Sequence, residues 1–299
     1  MKNKSFTLIE LLVVIVIIGI LAGVIIVSTS SSISKASIAK SKVFSESLRN
    51  ELILNLKMEF SFDSIEGSSA PYTTNDDWGG KSIPLYYFSS VTPPYVIAND
   101  CSFSGTLKCP QLLDESECVK GNCLDFNYSN RPFIELAEED RILFNDGDPW
   151  TISSWLKILT SYSVEYIGRR WTQNYLEIDN VGLFSFRNDL GTIYSAPNSF
   201  PKVRDYNWHL ITWVANGDGS IFVYVDSELA TTIAVDNNSF RFENVGQAYY
   251  YDQSISGHFF GHMDELQVYD SALGEGEIKE IYNANANSLF AKKLINILK

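Results

Sequence analysis

Residues 208–226 read WHLITWVANGDGSIFVYVD, and this stretch decides the fold. His209, Ile211 and Trp213 alternate with Trp208, Leu210 and Thr212, the period of two that sends successive side chains to opposite faces of a strand. Asn216–Gly219 is turn chemistry, because glycine and asparagine tolerate the positive φ that a tight reversal needs. SIFVYVD then returns with β-branched and aromatic residues as the second arm of a hairpin.

The same pattern extends outward. WTISSWLKI (150–158) sets Trp150, Ile152, Ser154, Leu156 and Ile158 on one face. Between residues 60 and 270 no helical periodicity stands out, apart from one short terminal helix. A mainly β fold, a sandwich of many strands, is therefore expected. The chain has 299 residues and a net charge of −13. Residues 1–57 hold seven Lys/Arg against three Glu, whereas the remainder holds 16 against 33. A domain that acidic repels phosphate backbones, so nucleic acid is excluded as a direct partner.

Four cysteines, Cys101, Cys109, Cys118 and Cys123, fall within one short segment. Zinc sites favour C-x₂₋₄-C pairs with neighbouring histidines, whereas the intervening lengths here are seven, eight and four and no histidine lies nearby. Two disulfides are the better reading, with local pairing of Cys101 to Cys109 and Cys118 to Cys123. That places the domain in an oxidising compartment.

Ahead of the strands, FTLIELLVVIVIIGILAGVIIV (6–27) is apolar except for Glu10. As a helix it would reach about 33 Å, the thickness of a hydrocarbon core. It is too long for the apolar region of a cleaved secretory signal. Ile33, Ala36, Ala39, Val43, Phe44, Leu48 and Leu52 then recur at helical spacing opposite Lys35, Lys42, Glu46 and Arg49, an amphipathic extension over 28–57. A carboxylate inside an apolar span needs a partner.

KNKSFTLIELLVVI resembles the leader of type IV pilins and pseudopilins. The resemblance implies a leader of residues 1–5, cleavage between Ser5 and Phe6 by a prepilin peptidase, and N-methylation of Phe6. Ser5 stands where the family has glycine. Glu10 is then implied to meet the free amine of a neighbouring subunit and to set stagger during filament assembly. Single-pass insertion in the inner (cytoplasmic) membrane with the domain outside, followed by display on a pilus or the cell surface, follows from the same resemblance.

CVKGNCLDFN (118–127), PWTISSWLKI (149–158), NWHLITWVANGDGSIFVYVDSELA (207–230) and GHFFGHMDELQVYDSALGEGEIKEIYN (257–283) together resemble the laminin-G-like, concanavalin-A-like jelly roll of bacterial surface proteins. The resemblance spans 58–284 and leaves an amphipathic tail, 285–299, outside it. It implies a structural Ca²⁺ near the last strand, with Asp264 as its ligand. Glycoside hydrolases on this fold carry E-x-D-x-x-E on one strand. EIDNVG supplies Glu177 and Asp179 but puts Gly182 where the second acid belongs, so no catalytic residue is expected. His258 and His262 share a face in GHFFGH, but two histidines make a poor metal site. The oxygen-rich stretches NDGDP (145–149) and NDDWGG (75–80) read as solvated turns. Trp171, Tyr206, Tyr249, Tyr250 and Tyr251 stand in loop-like contexts as candidate stacking surfaces for a sugar.

The expectation is a non-catalytic filament subunit whose jelly roll adheres to a glycan or a surface protein, its bulk favouring a minor or tip position. The alternatives are a structural pseudopilin of a secretion or DNA-uptake machine and a surface glycoside hydrolase.

Overall fold

The computed structural model describes residues 12–18, 52–65, 73–90, 96–98, 109–126, 131–168, 174–246 and 258–297. The chain divides into two compact units, Met1–Ile53 and Leu54–Lys299. In the first, Leu12–Ile18 is helical, and every one of its seven apolar side chains is exposed. Ser5, Phe6 and Glu10 lie outside the described residues. Among the described residues no helix is long and apolar enough to cross a membrane.

The second unit is a sandwich of two antiparallel sheets, its strands numbered along the chain. The first sheet contains β1 (Leu56–Phe60), β5 (Gln111–Leu113), β6 (Cys123–Phe126), β9 (Trp150–Ile158), β14 (Trp208–Ala215), β15 (Ser220–Val225), β16 (Glu228–Ala234) and β19 (Gly261–Tyr269). Its order is β16-β15-β14-β9-β19-β6-β5, with β1 also paired to β19. The second contains β2 (Thr73–Asp76), β3 (Lys81–Ser90), β4 (Val96–Ala98), β7 (Phe133–Glu135), β10 (Val164–Gly168), β11 (Tyr175–Ile178), β12 (Phe184–Arg187), β13 (Ile193–Ser195) and β18 (Asn244–Val245). It runs β13-β12-β11-β10-β18-β7-β3-β2, with β4 on β3. A short ribbon pairs β8 (Ile142–Phe144) with β17 (Phe240–Phe242).

The hairpin read from residues 208–226 is β14–β15, with Ile211 opposite Val225 and Ala215 opposite Ile221. Ile211, Trp213 and Ala215 enter the core, where Trp213 stands edge-on to Phe184 with ring centres 5.6 Å apart. The buried indole N–H of Trp213 donates to the Tyr166 hydroxyl, satisfying a group that would be costly to leave unpaired. Trp150 packs among Phe144, Phe186 and Phe240, and its indole N–H donates to the Asn238 carbonyl at 3.0 Å.

Alternation alone suggests strands with one solvated face, but β14 is buried throughout and β9 along all but Lys157. Two elements cover the outer face of the first sheet. One is the helix Glu275–Ile297, which runs without a break through the boundary expected at 284–285. It buries Ile278 and Ile281, and its Tyr282 stacks on Trp155 at 5.5 Å. The other is the loop closed by the Cys118–Cys123 disulfide. Just ahead of it, the Glu117 main-chain carbonyl accepts the Trp208 indole N–H at 2.9 Å. Cys109 is disulfide-bonded too, while Cys101 lies outside the described residues. The first strand begins at Leu56, two residues ahead of the expected domain boundary.

Candidate functional site

One end of the sandwich gathers the segment after β9 (159–163), the turn after β11 (179–183) and residues 200–207 ahead of β14. Strand direction brings them together, since Val164 pairs with Ile178 and Trp208 with Lys157. Asp179 builds the middle turn: its Oδ1 accepts the N–H groups of Val181 (2.9 Å) and Leu183 (2.7 Å). Gly182 has φ +83° there, and a Cβ on it would sit 2.5 Å from the Phe200 carbonyl oxygen. Only glycine combines that backbone with that approach. The Phe200 N–H in turn donates to the Gly182 carbonyl at 2.7 Å, fastening the third segment to the second.

Residues 201–204 form one 3₁₀ turn led by Pro201, and Tyr206 follows with φ +64° and 56% of its surface exposed. Arg204 donates through Nη2 to the Tyr162 carbonyl, which brings Tyr162, 74% exposed, to the same patch. Burial lowers the Arg204 pKa, while the nearby Asp179 and Tyr206 pull it back up. Its Nε and Nη1 are buried and make no hydrogen bond. The result is two exposed tyrosines on segments that Arg204 ties together through the Tyr162 main chain, and exposed phenol rings suit the flat face of a sugar.

A second cluster begins next to this end, on the second sheet. Glu165 and Glu177 are directly opposed across β10–β11, with a register irregularity just after Glu165. Opposed residues place their Cβ atoms about 5 Å apart, so two like charges here are destabilising. Burial pushes the Glu165 pKa well up, and the Glu177 charge adds to it against the pull of Arg187. Glu177 is raised by burial and by Asp179, while the Ser163 hydroxyl restrains it. Because β11 stops at Ile178, Asp179 and Gly182 fall in the turn, and the E-x-D-x-x-E arrangement on one strand does not form.

Asp264 is fully buried beneath the disulfide loop. Its Oδ2 accepts the N–H groups of Val119 (2.9 Å) and Lys120 (3.0 Å), and its Oδ1 makes no hydrogen bond. Burial raises its pKa well above the usual value, against those two N–H donors. The adjacent Glu265 is taken up by Lys120 at 3.1 Å and by Asn285. Side chains therefore offer a hard cation one free oxygen of the six or more it needs, and backbone carbonyls and water would have to complete the set. Among the described residues no three His, Cys, Asp or Glu side chains converge for a metal.

His258 is buried with both ring nitrogens unbonded, and burial pushes its pKa down to about 3. His262 lies 3.6 Å from Asp125 and is pushed down by burial to about 4. The two oxygen-rich stretches are turns whose oxygens are used internally. Asp76 accepts the N–H groups of Glu59, Trp78 and Gly79, and Asp148 accepts that of Asn145.

Of the expected aromatics, Tyr206 lies at the patch, while Trp171, Tyr249, Tyr250 and Tyr251 lie outside the described residues. Tyr162, Arg204 and Glu165 were not expected. An exposed tyrosine in SYS carries no sequence signal of its own, and Glu165 acquires meaning only through its register against Glu177.

The architecture is that of a concanavalin A-like sandwich. Residues 133–279 match the concanavalin A-like lectin/glucanases superfamily, and residues 1–26 match the prokaryotic N-terminal methylation motif. The chain thus joins a pilin-type methylation motif to a laminin G, concanavalin A-like domain. No curated protein matches it. Domain 4 of the extracellular arabinanase AbnA from Geobacillus stearothermophilus, solved in complex with arabinotriose, superposes with a TM-score of 0.51 at 16% identity, over 76% of this chain and 98% of that one. The ligand-binding domain of botulinum neurotoxin serotype D, in complex with N-acetylneuraminic acid, gives 0.51 at 11% identity over 79% of this chain and 52% of that one. At these identities the likeness concerns the fold alone.

Proposed function

We propose that this chain is a pilin-like subunit of a type IV pilus or related filament, carrying a concanavalin A-like domain that binds a glycan without cleaving it. The observation that carries the reading is the union of a methylation motif at residues 1–26 with a sandwich whose loop end exposes Tyr162 and Tyr206 about Arg204. The exposed apolar helix Leu12–Ile18 supports it, because such a surface calls for lipid or other helices around it. The two fold neighbours add support in that both were solved with sugars bound. The motif implies a prepilin peptidase and pilus subunits as partners, and membrane anchoring followed by surface display. Glu10 is the residue we assign to pairing with a neighbouring subunit's amine. Asp264, whose Oδ1 lacks a hydrogen bond, is the position we assign to a structural Ca²⁺.

The test is the sheared filament fraction of cells expressing the chain. The reading expects the processed chain there at low abundance and its loss in Glu10→Ala. A chain that stays with the cell body and is indifferent to Glu10 contradicts it.

A second reading, glycoside hydrolysis, has one observation in its favour. Glu165 and Glu177 stand directly opposite each other across β10–β11, and a pair of neighbouring carboxyls is what retaining hydrolysis uses. Release of reducing ends from a polysaccharide panel, abolished by Glu177→Gln, would establish it in place of simple binding.

A further inference from the structure

We propose that His209 is a positioning residue that makes the posture of the Tyr206 segment, and with it ligand binding, depend on pH. The inference rests on the glycan-binding reading and adds its regulation. His209 Nδ1 lies 2.9 Å from Asp226 Oδ2, and Nε2 lies 3.0 Å from Asp205 Oδ1. A neutral imidazole has one N–H and one lone pair, so it can bond only one of two carboxylates. With an acceptor on each nitrogen the ring must be the doubly protonated cation, and the bridge exists only while the proton stays. Burial lowers the His209 pKa, but the two carboxylates outweigh it and the net shift is upward.

Loss of the proton breaks one side, and the surroundings decide which. Asp226 is 15% exposed and also holds Lys202 Nζ at 2.8 Å and the Leu210 N–H at 3.2 Å. It stands in the β15–β16 turn, where Asp226 and Ser227 both have positive φ. Asp205 is 41% exposed and, among the described residues, otherwise accepts only from its neighbour Asn207. The neutral ring therefore keeps Asp226, and its bare Nε2 faces Asp205, which turns to water. The remaining ionisable groups at this junction are Lys202 of the 3₁₀ turn and Tyr282 of the C-terminal helix, whose phenol senses Asp226 and Lys202. Neither replaces the lost bond to Asp205. Asp205 immediately precedes Tyr206 and follows Arg204, so untying it frees both residues of the ligand patch from β14. The filament would then hold its ligand in mildly acidic surroundings and release it in alkaline ones.

The experiment measures amide hydrogen exchange over residues 201–207 of the full chain in detergent, corrected for intrinsic rate, at about pH 6 and about pH 9, a span bracketing a raised histidine. Binding to an immobilised glycan panel is read at the same two values. The proposal expects a roughly tenfold loss of protection, and a similar loss of binding, on going to the higher pH. In Asp205→Asn the amide N–H can donate to a neutral Nε2, so protection should hold at both values. In His209→Gln it should be low at both. Equal protection of the unsubstituted chain at both values, or an Asp205→Asn chain that still switches, overturns the proposal. Protection that switches while no glycan binds at either pH supports the switch and overturns the glycan reading beneath it.

Discussion

Asp264 offers a quantitative test of how the disulfide loop is held on the sheet. In Asp264→Ala the N–H groups of Val119 and Lys120 lose their acceptor. Val119 is fully buried, so its orphaned donor costs the whole desolvation penalty, whereas the backbone of the more exposed Lys120 can recover water in part. Together they come to about 2–4 kcal/mol. In a domain of this size that lowers Tm by about 5–15 °C. Asp264→Asn keeps an acceptor for both donors and should cost less than about 1 kcal/mol at neutral pH.

The two substitutions also separate packing from ionisation. Burial holds the Asp264 pKa above its unfolded value, so the penalty for ionising it is absent below about pH 4 and grows as pH rises toward the folded pKa. Asparagine carries no such penalty. The stability of the wild type relative to Asp264→Asn should therefore fall as pH increases from about 4 to about 8. Urea unfolding of both variants across that range, with calcium and with a chelator, is the assay. An Asp264→Ala variant no less stable than Asp264→Asn would refute the anchoring role. The ionisation penalty is read in the chelator, and a calcium-dependent gain in the wild type that Asp264→Asn lacks is what the assignment of Ca²⁺ to Oδ1 expects.

Other perturbations are as direct. Gly182→Ala puts a Cβ against the Phe200 carbonyl at positive φ and should lower the unfolding free energy by about 2–4 kcal/mol in urea titration. Removing the Cys118–Cys123 bridge as a double serine variant opens a short loop and should cost about 2 kcal/mol in the same assay. Tyr282→Ala removes the ring stacked on Trp155 and should cost about 2–4 kcal/mol, with a red-shifted tryptophan emission as the C-terminal helix loosens.

Local chemistry made the hairpin legible. In 208–226, alternation and turn residues agree with tertiary burial, and β14–β15 forms where they place it. Burial of both faces was not legible there. What lies over the outer face of β9 and β14 is supplied by residues distant in the chain, Glu117 against Trp208 and Tyr282 against Trp155. Strand periodicity carries no information about such covers. Tyr206 was readable as a loop aromatic, but its companions were not, since Tyr162 reaches it through one Arg204 hydrogen bond. Glu177 was noticed for its neighbours in sequence, Asp179 and Gly182, which the turn removes from the strand. Its structural neighbour is Glu165, twelve positions earlier and directly across the ladder. His209 looked like an ordinary strand residue, and only the fold brings Asp205 and Asp226 to its two nitrogens.

The central claim is that the sandwich end around Tyr162, Arg204 and Tyr206 binds a glycan. It is tested most directly by the full chain in detergent on a broad glycan panel at mildly acidic pH, beside Tyr206→Ala and Tyr162→Ala. The account predicts saturable binding to a defined glycan that each substitution weakens by roughly tenfold or more, with folding unchanged. Absence of binding to every glycan, or binding that neither tyrosine affects, would contradict it.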